Sequence, residues 1–222
     1  SLKYLVPTSA TPDNPTWTAR TFNDASWTTG TNGVGFETTV TGWAFKYFKA
    51  NITVANLATA ESVIANVSQQ AGTAFSNQPV VNYFNSGGEG RYGSNVTPPP
   101  LNGGDLDNYV VEATGTITIP SGGTFPQTWT FGKNTDDGGR IQVNGVNVVT
   151  DDSNHGPQDH LGTYTFTAPG TYSIRYVMWE AGGGSGGECF AKQGSWGAWD
   201  AGFRLIGDTA NGGLAIQSPA VG

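Results

Sequence analysis

Two carboxylates stand side by side at Asp136-Asp137, and two glycines, Gly138-Gly139, follow them directly. On a regular strand, adjacent side chains point to opposite faces. Convergence of the two acids therefore requires an unusual backbone, which glycine after them permits. Converged carboxylates repel unless a cation lies between them. Ca2+ is the natural choice, a hard ion that takes about 6–8 oxygen ligands at about 2.3–2.6 Å. The alternative is that the two acids cap backbone N–H groups of the turn they occupy.

Other chemistry-bearing residues are sparser. His155 and His160 share a loop with Asp151, Asp152 and Asp159. A zinc site needs three or four converging ligands, so this spacing reads first as surface or turn residues, with a second Ca2+ site on the acids as the lesser reading. Asp105 and Asp107 form a D-x-D that lacks the remaining positions of a calcium loop. Trp196 and Trp199, separated by Gly197-Ala198, either stack on sugar faces or pack into the core. Cys189 is the single cysteine, which allows no internal disulfide and no zinc ribbon, and its neighbours suggest a buried strand thiol. The chain carries no Gly-x-Ser-x-Gly, no His-Glu-x-x-His and no phosphate-cradling loop. Glu89, Glu112, Glu180 and Glu188 are the acids left for glycoside hydrolysis. Asp136 and Asp137, adjacent in the chain, are a poor acid/base pair. The chain reads as a binding module and not as an enzyme.

The elements around these residues are short and mostly β. Tyr109–Ile119 alternates through Val111, Ala113, Gly115, Ile117 and Ile119. Asn144-Gly145 between Ile141–Val143 and Val146–Val149 is a strong hairpin signal. Further strands are expected at 47–54, 80–84, 129–131, 162–166, 172–179, 188–192 and 203–206. One helix is predicted from Leu57, Ala60, Val63, Ile64 and Val67, capped by Asn56. Residues 76–108, rich in Gly, Asn, Ser and Pro, read as a long loop. Turn signals about every ten residues point to an all-β antiparallel sandwich with one short helix. The expected layout is a single domain over 1–206, its first 46 residues an extension of aromatic-anchored loops and strands, with 207–222 as tail or linker.

Composition agrees. Of 222 residues, 36% are hydrophobic, 12% are charged and 33 are Gly, which favours strands and tight turns over a helical bundle. The net charge is −7, and no two basic residues sit closer than three positions. This excludes a basic nucleic-acid stripe and disfavours an anionic membrane surface. No apolar run is long enough to span a bilayer.

Taken in order, Val111–Pro120, Trp129-Thr130-Phe131-Gly132, Asp136-Asp137-Gly138 and Val143-Asn144-Gly145 resemble the core of the anthrax protective-antigen-type β-sandwich domain. Tyr172–Tyr176 is similar to the strand that follows in the family, and Glu180 through Gly187 to its glycine-rich loop. The likeness is clear over 107–192, divergent over 47–106 and loose elsewhere. Such domains occur in bacterial toxins, glycosidases, adhesins and yeast flocculins. The resemblance implies that an aspartate pair joined by a cis peptide, here Asp136 and Asp137, holds Ca2+, which takes two vicinal hydroxyls of a terminal sugar. A second loop would complete the shell. Ala181–Gly187, with Glu180 and Glu188 at its ends, is one candidate. Gly194–Asp200, with Trp196, Trp199 and Asp200, is the other. The implied protein is a monomeric, calcium-dependent carbohydrate-binding or adhesion module of a larger bacterial secreted or surface protein, with a glycan as partner. A metal-free spacer or partner-docking domain is the alternative, and a glycoside-acting domain the third reading.

Overall fold

The alternating run Tyr109–Ile119 becomes the strand on which the sandwich is assembled. In a computed structural model of the chain, residues 2–4, 28–30, 39–85, 90–93 and 107–221 are described. The chain divides into two compact units, 1–37 and 38–222. In the first, β1 (Leu2–Tyr4) and β2 (Thr28–Gly30) pair antiparallel, with Leu2 opposite Gly30. The aromatic residues Trp17, Phe22, Trp27 and Phe36 of the expected N-terminal extension lie outside the described residues, as do Glu89, Asp105 and the prolines at 98–100.

The second unit runs β3 (Thr39–Thr41), β4 (Trp43–Ala50), α1 (Leu57–Ala65), β5 (Gln70–Gln78), β6 (Asn82–Phe84) and β7 (Tyr109–Ile119). It continues with β8 (Gln127–Asp136), β9 (Gly139–Val143), β10 (Val146–Asp151), β11 (Gln158–Phe166), β12 (Gly170–Glu180), β13 (Gly186–Gln193), β14 (Arg204–Leu205) and β15 (Ile216–Pro219). An eight-stranded sheet has the order β10-β9-β12-β7-β15-β3, with β4 on the first half of β7 and β5 on β4. A five-stranded sheet has the order β11-β8-β13-β14, with β6 also on β13. All pairs are antiparallel. The inner faces bury Trp43, Phe45, Tyr109, Phe131, Tyr176 and Cys189 in one core. The expected all-β sandwich with one short helix is what the chain forms.

The helix covers the outer face of the large sheet. Leu57, Ala60 and Val63 pack with Phe48, Val110 and Trp179. Asn56 caps it as expected, its Oδ1 accepting the Thr59 N–H at 2.8 Å. Val67, expected on the same face, lies past the end and is 80% exposed, because the backbone leaves the helical region at Asn66.

Three expectations are corrected. The strand placed at 47–54 runs from Trp43 to Ala50, since Trp43, Ala44 and Phe45 are buried while Asn51 onward turns toward the helix. The long loop expected from 76 starts later, since β5 runs to Gln78; β5 lacks apolar alternation because it is an outer strand with no buried residue, paired with β4 among the described residues. The segment 207–222 is no tail. Its β15 pairs with both β7 and β3, and Ile216 is buried. Gly115 on β7 makes the room, because a Cβ there would come within 2.7 Å of the Ile216 side chain. Ile216→Ala is therefore expected to cost about 2–5 kcal/mol in urea unfolding; a loose tail would give a change within about 0.5 kcal/mol.

Candidate functional site

The site forms where the chain crosses between sheets. β8 belongs to the small sheet and β9 to the large one, so the chain passes from one layer to the other at Asp137 and Gly138. The peptide joining Asp136 and Asp137 is cis. Asp137 donates its N–H to the Trp179 carbonyl at 3.1 Å, and Trp179 returns its N–H to Gly138 at 3.2 Å. Glycine is needed at 138 because a Cβ would come 2.9 Å from the Trp179 ring and 2.8 Å from the Asp151 carbonyl oxygen. The connection from β12 back to β13 crosses at the same end and carries the glycine-rich loop 181–185. Gly186, just after it, lies opposite Asp136.

Three acids from these strand ends, Asp136, Asp137 and Glu180, each bring a carboxylate oxygen within 4.8 Å of the others, and all three are buried. Asp137 accepts the His155 N–H at 2.8 Å on Oδ1 and the Ala181 N–H at 3.0 Å on Oδ2. Glu180 Oε1 accepts the Gly182 N–H at 2.6 Å. Glu180 Oε2 is buried with no hydrogen-bond partner. Burial first, then the charges of Asp137 and Asp136, push the Glu180 carboxyl up to about 9.

Backbone capping accounts for Asp137 and for one oxygen of Glu180, and it leaves Oε2 without a role. An all-oxygen set of crowded carboxylates with one unsatisfied buried oxygen fits a hard divalent cation, and Asp136, Asp137 and Glu180 are the residues that would hold Ca2+. Gly184 keeps the approach narrow, since a Cβ there would come within 2.8 Å of Asp136 Oδ2. Asp107, set aside in the sequence because its D-x-D is incomplete, stands beside the site: its Oδ1 accepts the Gly183 N–H at 3.1 Å. Only its place just before β7 could have signalled this.

Of the two loops weighed as the second wall, 181–187 borders the acids and 194–200 does not. Trp196 donates its N–H to Thr130 Oγ1, six residues back along β8 from Asp136, or about 20 Å at about 3.3 Å per residue. The Trp196 ring, 41% exposed, carries the Lys192 ammonium 3.4 Å above its centroid. Asp200 pairs with that same ammonium at 2.6 Å. Trp199 meets Tyr92 edge-on at 6.2 Å between centroids and stacks under Arg91 at 5.0 Å. Trp196 therefore lies apart from the acids, and Trp199 packs with Tyr92 and Arg91. Glu188, at the far end of the glycine-rich loop, accepts the N–H groups of Arg91 and Tyr92, both at 2.9 Å. Glu112 lies on the outer face with Arg175 at 2.6 Å.

A two-sheet antiparallel sandwich with acids gathered at its crossover loops defines the class of protein. The chain belongs to the PA14 domain family, whose model matches residues 61–209. The PA14 domain of the antifreeze protein MpAFP is similar in structure, with a TM-score of 0.64 and 16% identity over 86% of this chain and 98% of that one. A PA14 sugar-binding domain from an RTX adhesin is also similar, with a TM-score of 0.52 and 22% identity over 75% of this chain and 96% of that one. At these identities the likeness is one of fold. No curated protein matches the chain significantly in sequence. Among the described residues no helix is long and apolar enough to cross a membrane.

Glu180 sets a pH test. Its folded carboxyl titrates at about 9 against an ordinary 4.5, so without a cation the fold takes up a proton that the unfolded chain releases. The Glu180 contribution to cation-free stability is then full below about 4.5 and is lost as pH rises toward about 9. Urea unfolding in chelator is expected to show that decline, and Glu180→Gln to flatten it.

Proposed function

We propose that this domain is a monomeric, calcium-dependent carbohydrate-binding module of a larger extracellular adhesion protein. The observation that carries the reading is the convergence of Asp136, Asp137 and Glu180 within 4.8 Å, with Glu180 Oε2 buried and unpaired. Bound there, Ca2+ would supply open coordination positions that vicinal sugar hydroxyls exchange for water. The protein's part is to hold the carboxylates rigid and to leave an opening. Asp107 and Gly182 through Gly184 are exposed around the buried acids, so a ligand can approach from that side. The likeness to a sugar-binding domain of an adhesin supports glycan as the ligand class.

Asp136 and Asp137 favour binding over catalysis, since they are adjacent in the chain and do not face each other across a substrate. The metal-free spacer reading draws on one observation, the capping of His155 and Ala181 by Asp137.

Chelation separates these readings. Glycan-array signal is expected to vanish in chelator and in Asp136→Ala, and to weaken in Asp137→Asn, which keeps an oxygen but loses charge. Calcium at a hundredfold excess over Kd is expected to stabilise the wild type by about 2.7 kcal/mol and to leave Asp136→Ala unaffected. If the acids only cap backbone, Asp136→Ala loses about 0.5–2 kcal/mol with or without calcium. Equal melting temperatures of the wild type in calcium and in chelator would establish the spacer. Turnover of a polysaccharide would establish an enzyme.

A further inference from the structure

A second cluster lies behind the first, and its chemistry differs. The crossover from β10 to β11 brings Asp151, His155 and His160 together, one ligand atom of each within 4.8 Å of the others. All of them meet at one atom. Asp151 Oδ2 lies 2.7 Å from His155 Nε2 and 3.2 Å from His160 Nδ1. The 3.2 Å spacing matches the ~3.3 Å edge of a tetrahedron with metal–ligand bonds of about 2.0–2.1 Å, while the 2.7 Å one is a hydrogen-bond distance that a bound metal would widen by about 0.6 Å.

The imidazoles are set up as ligands. His155 Nδ1 lies 2.7 Å from the Gly156 carbonyl oxygen, which can only accept, so Nδ1 carries the proton. Nε2 lies 2.7 Å from Asp151 Oδ2, a hydrogen bond when the ring is protonated and, in the neutral ring, a lone pair aimed at the carboxylate that a cation between them satisfies. Orientation of a ligating imidazole by a carbonyl on its other nitrogen is the usual outer-shell arrangement. His160 Nδ1, facing the same oxygen, is buried without a hydrogen bond.

The neighbouring acids are engaged elsewhere. Asp152 accepts the Leu57 N–H at the start of α1 at 2.5 Å, and Asp159 binds Arg91 at 2.7 Å. Lys133 also reaches Asp151 Oδ2, at 2.7 Å, but it is fully buried and arrives from the core. The histidines are 16% and 30% exposed and arrive from the rim. The Lys133 ammonium neutralises the carboxylate and opposes a dication, so the site is weaker than a closed zinc centre.

We propose that Asp151, His155 and His160 form a site for a divalent transition metal of the zinc class, distinct from the all-oxygen site at Asp136, Asp137 and Glu180. Two imidazole nitrogens select against calcium, which takes oxygen ligands. The proposal does not depend on the calcium reading.

The test uses tag-free, chelator-stripped protein titrated with zinc in excess calcium, by calorimetry and by the visible spectrum of a cobalt(II) substitute. One equivalent is expected, with cobalt bands of a nitrogen-ligated, low-coordinate site. Asp136→Ala should retain it. His155→Ala and His160→Ala, checked for fold by circular dichroism, should each weaken zinc by at least about tenfold. Absence of zinc binding, unchanged affinity in either histidine variant, or loss in Asp136→Ala would overturn the proposal.

Discussion

The acidic end of the sandwich depends on one contact, the seating of the Asp137-Gly138 backbone against Trp179. Trp179 exchanges hydrogen bonds with this crossover on both sides, and its ring fills the space a side chain at 138 would need. That contact fixes where the small sheet hands the chain to the large one. The Asp137 carboxylate then ties in two further crossovers, through the His155 N–H from the β10–β11 connection and the Ala181 N–H from the β12–β13 connection. Loops that share no sequence neighbourhood are held at one end by one carboxylate. A buried charge bonded in this way costs little by itself, because both its oxygens are satisfied. The cost falls on Glu180, brought close to it with one oxygen unpaired.

Rigidity at that end comes from burial on two sides. Tyr176 and Met178 of β12 face the inter-sheet core, while Val177 and Trp179 face the helix. The strand that delivers Glu180 is therefore packed on both faces just before the site. The helix is fastened to the same strand by charge as well: Glu61 on α1 binds Arg175 at 2.7 Å and also Arg140. The Arg175 cation lies between Glu61 and Glu112 and is only part-buried. This network fastens the outer layer to the strand that delivers Glu180.

Much of this was legible in the sequence, for physical reasons that also explain the rest. Tyr109–Ile119 and the Asn144-Gly145 turn announced themselves because one face is buried and one turn geometry is strongly coded; Asn144 and Gly145 indeed take φ of 50° and 78°. The Asp136-Asp137 pair stood out because converging adjacent acids call for a cation or a capped turn, and Glu180 through the family resemblance, as one end of its glycine-rich loop. β5 left no trace, since an exposed outer strand needs no apolar alternation. β15 was hidden by its length, four residues whose partner site is created by Gly115 on another strand. Trp196 and Trp199 share residue type with sugar platforms, but the position of Trp196 along β8 follows only from register. His155 and His160 read as surface or turn residues because spacing within one loop does not show that Asp151 converges on them or that Lys133 joins from β8. Convergence of that kind is a property of topology.

The two clusters place different donor sets a few residues apart on one sandwich. Both stand on crossovers at one end, and the His155 residue belongs to both, its N–H serving Asp137 and its ring facing Asp151. What differs is what each strand end delivers. β8 and β12 finish in acids, so their meeting point is all oxygen. β10 finishes in Asp151, while β11 brings His160 across from Lys133, so that meeting point mixes nitrogen with one oxygen already paired to an ammonium. Hard and borderline cations are sorted by such donor sets more than by cavity shape. The fold supplies the convergence, and the residue at each strand terminus decides which ion it can serve.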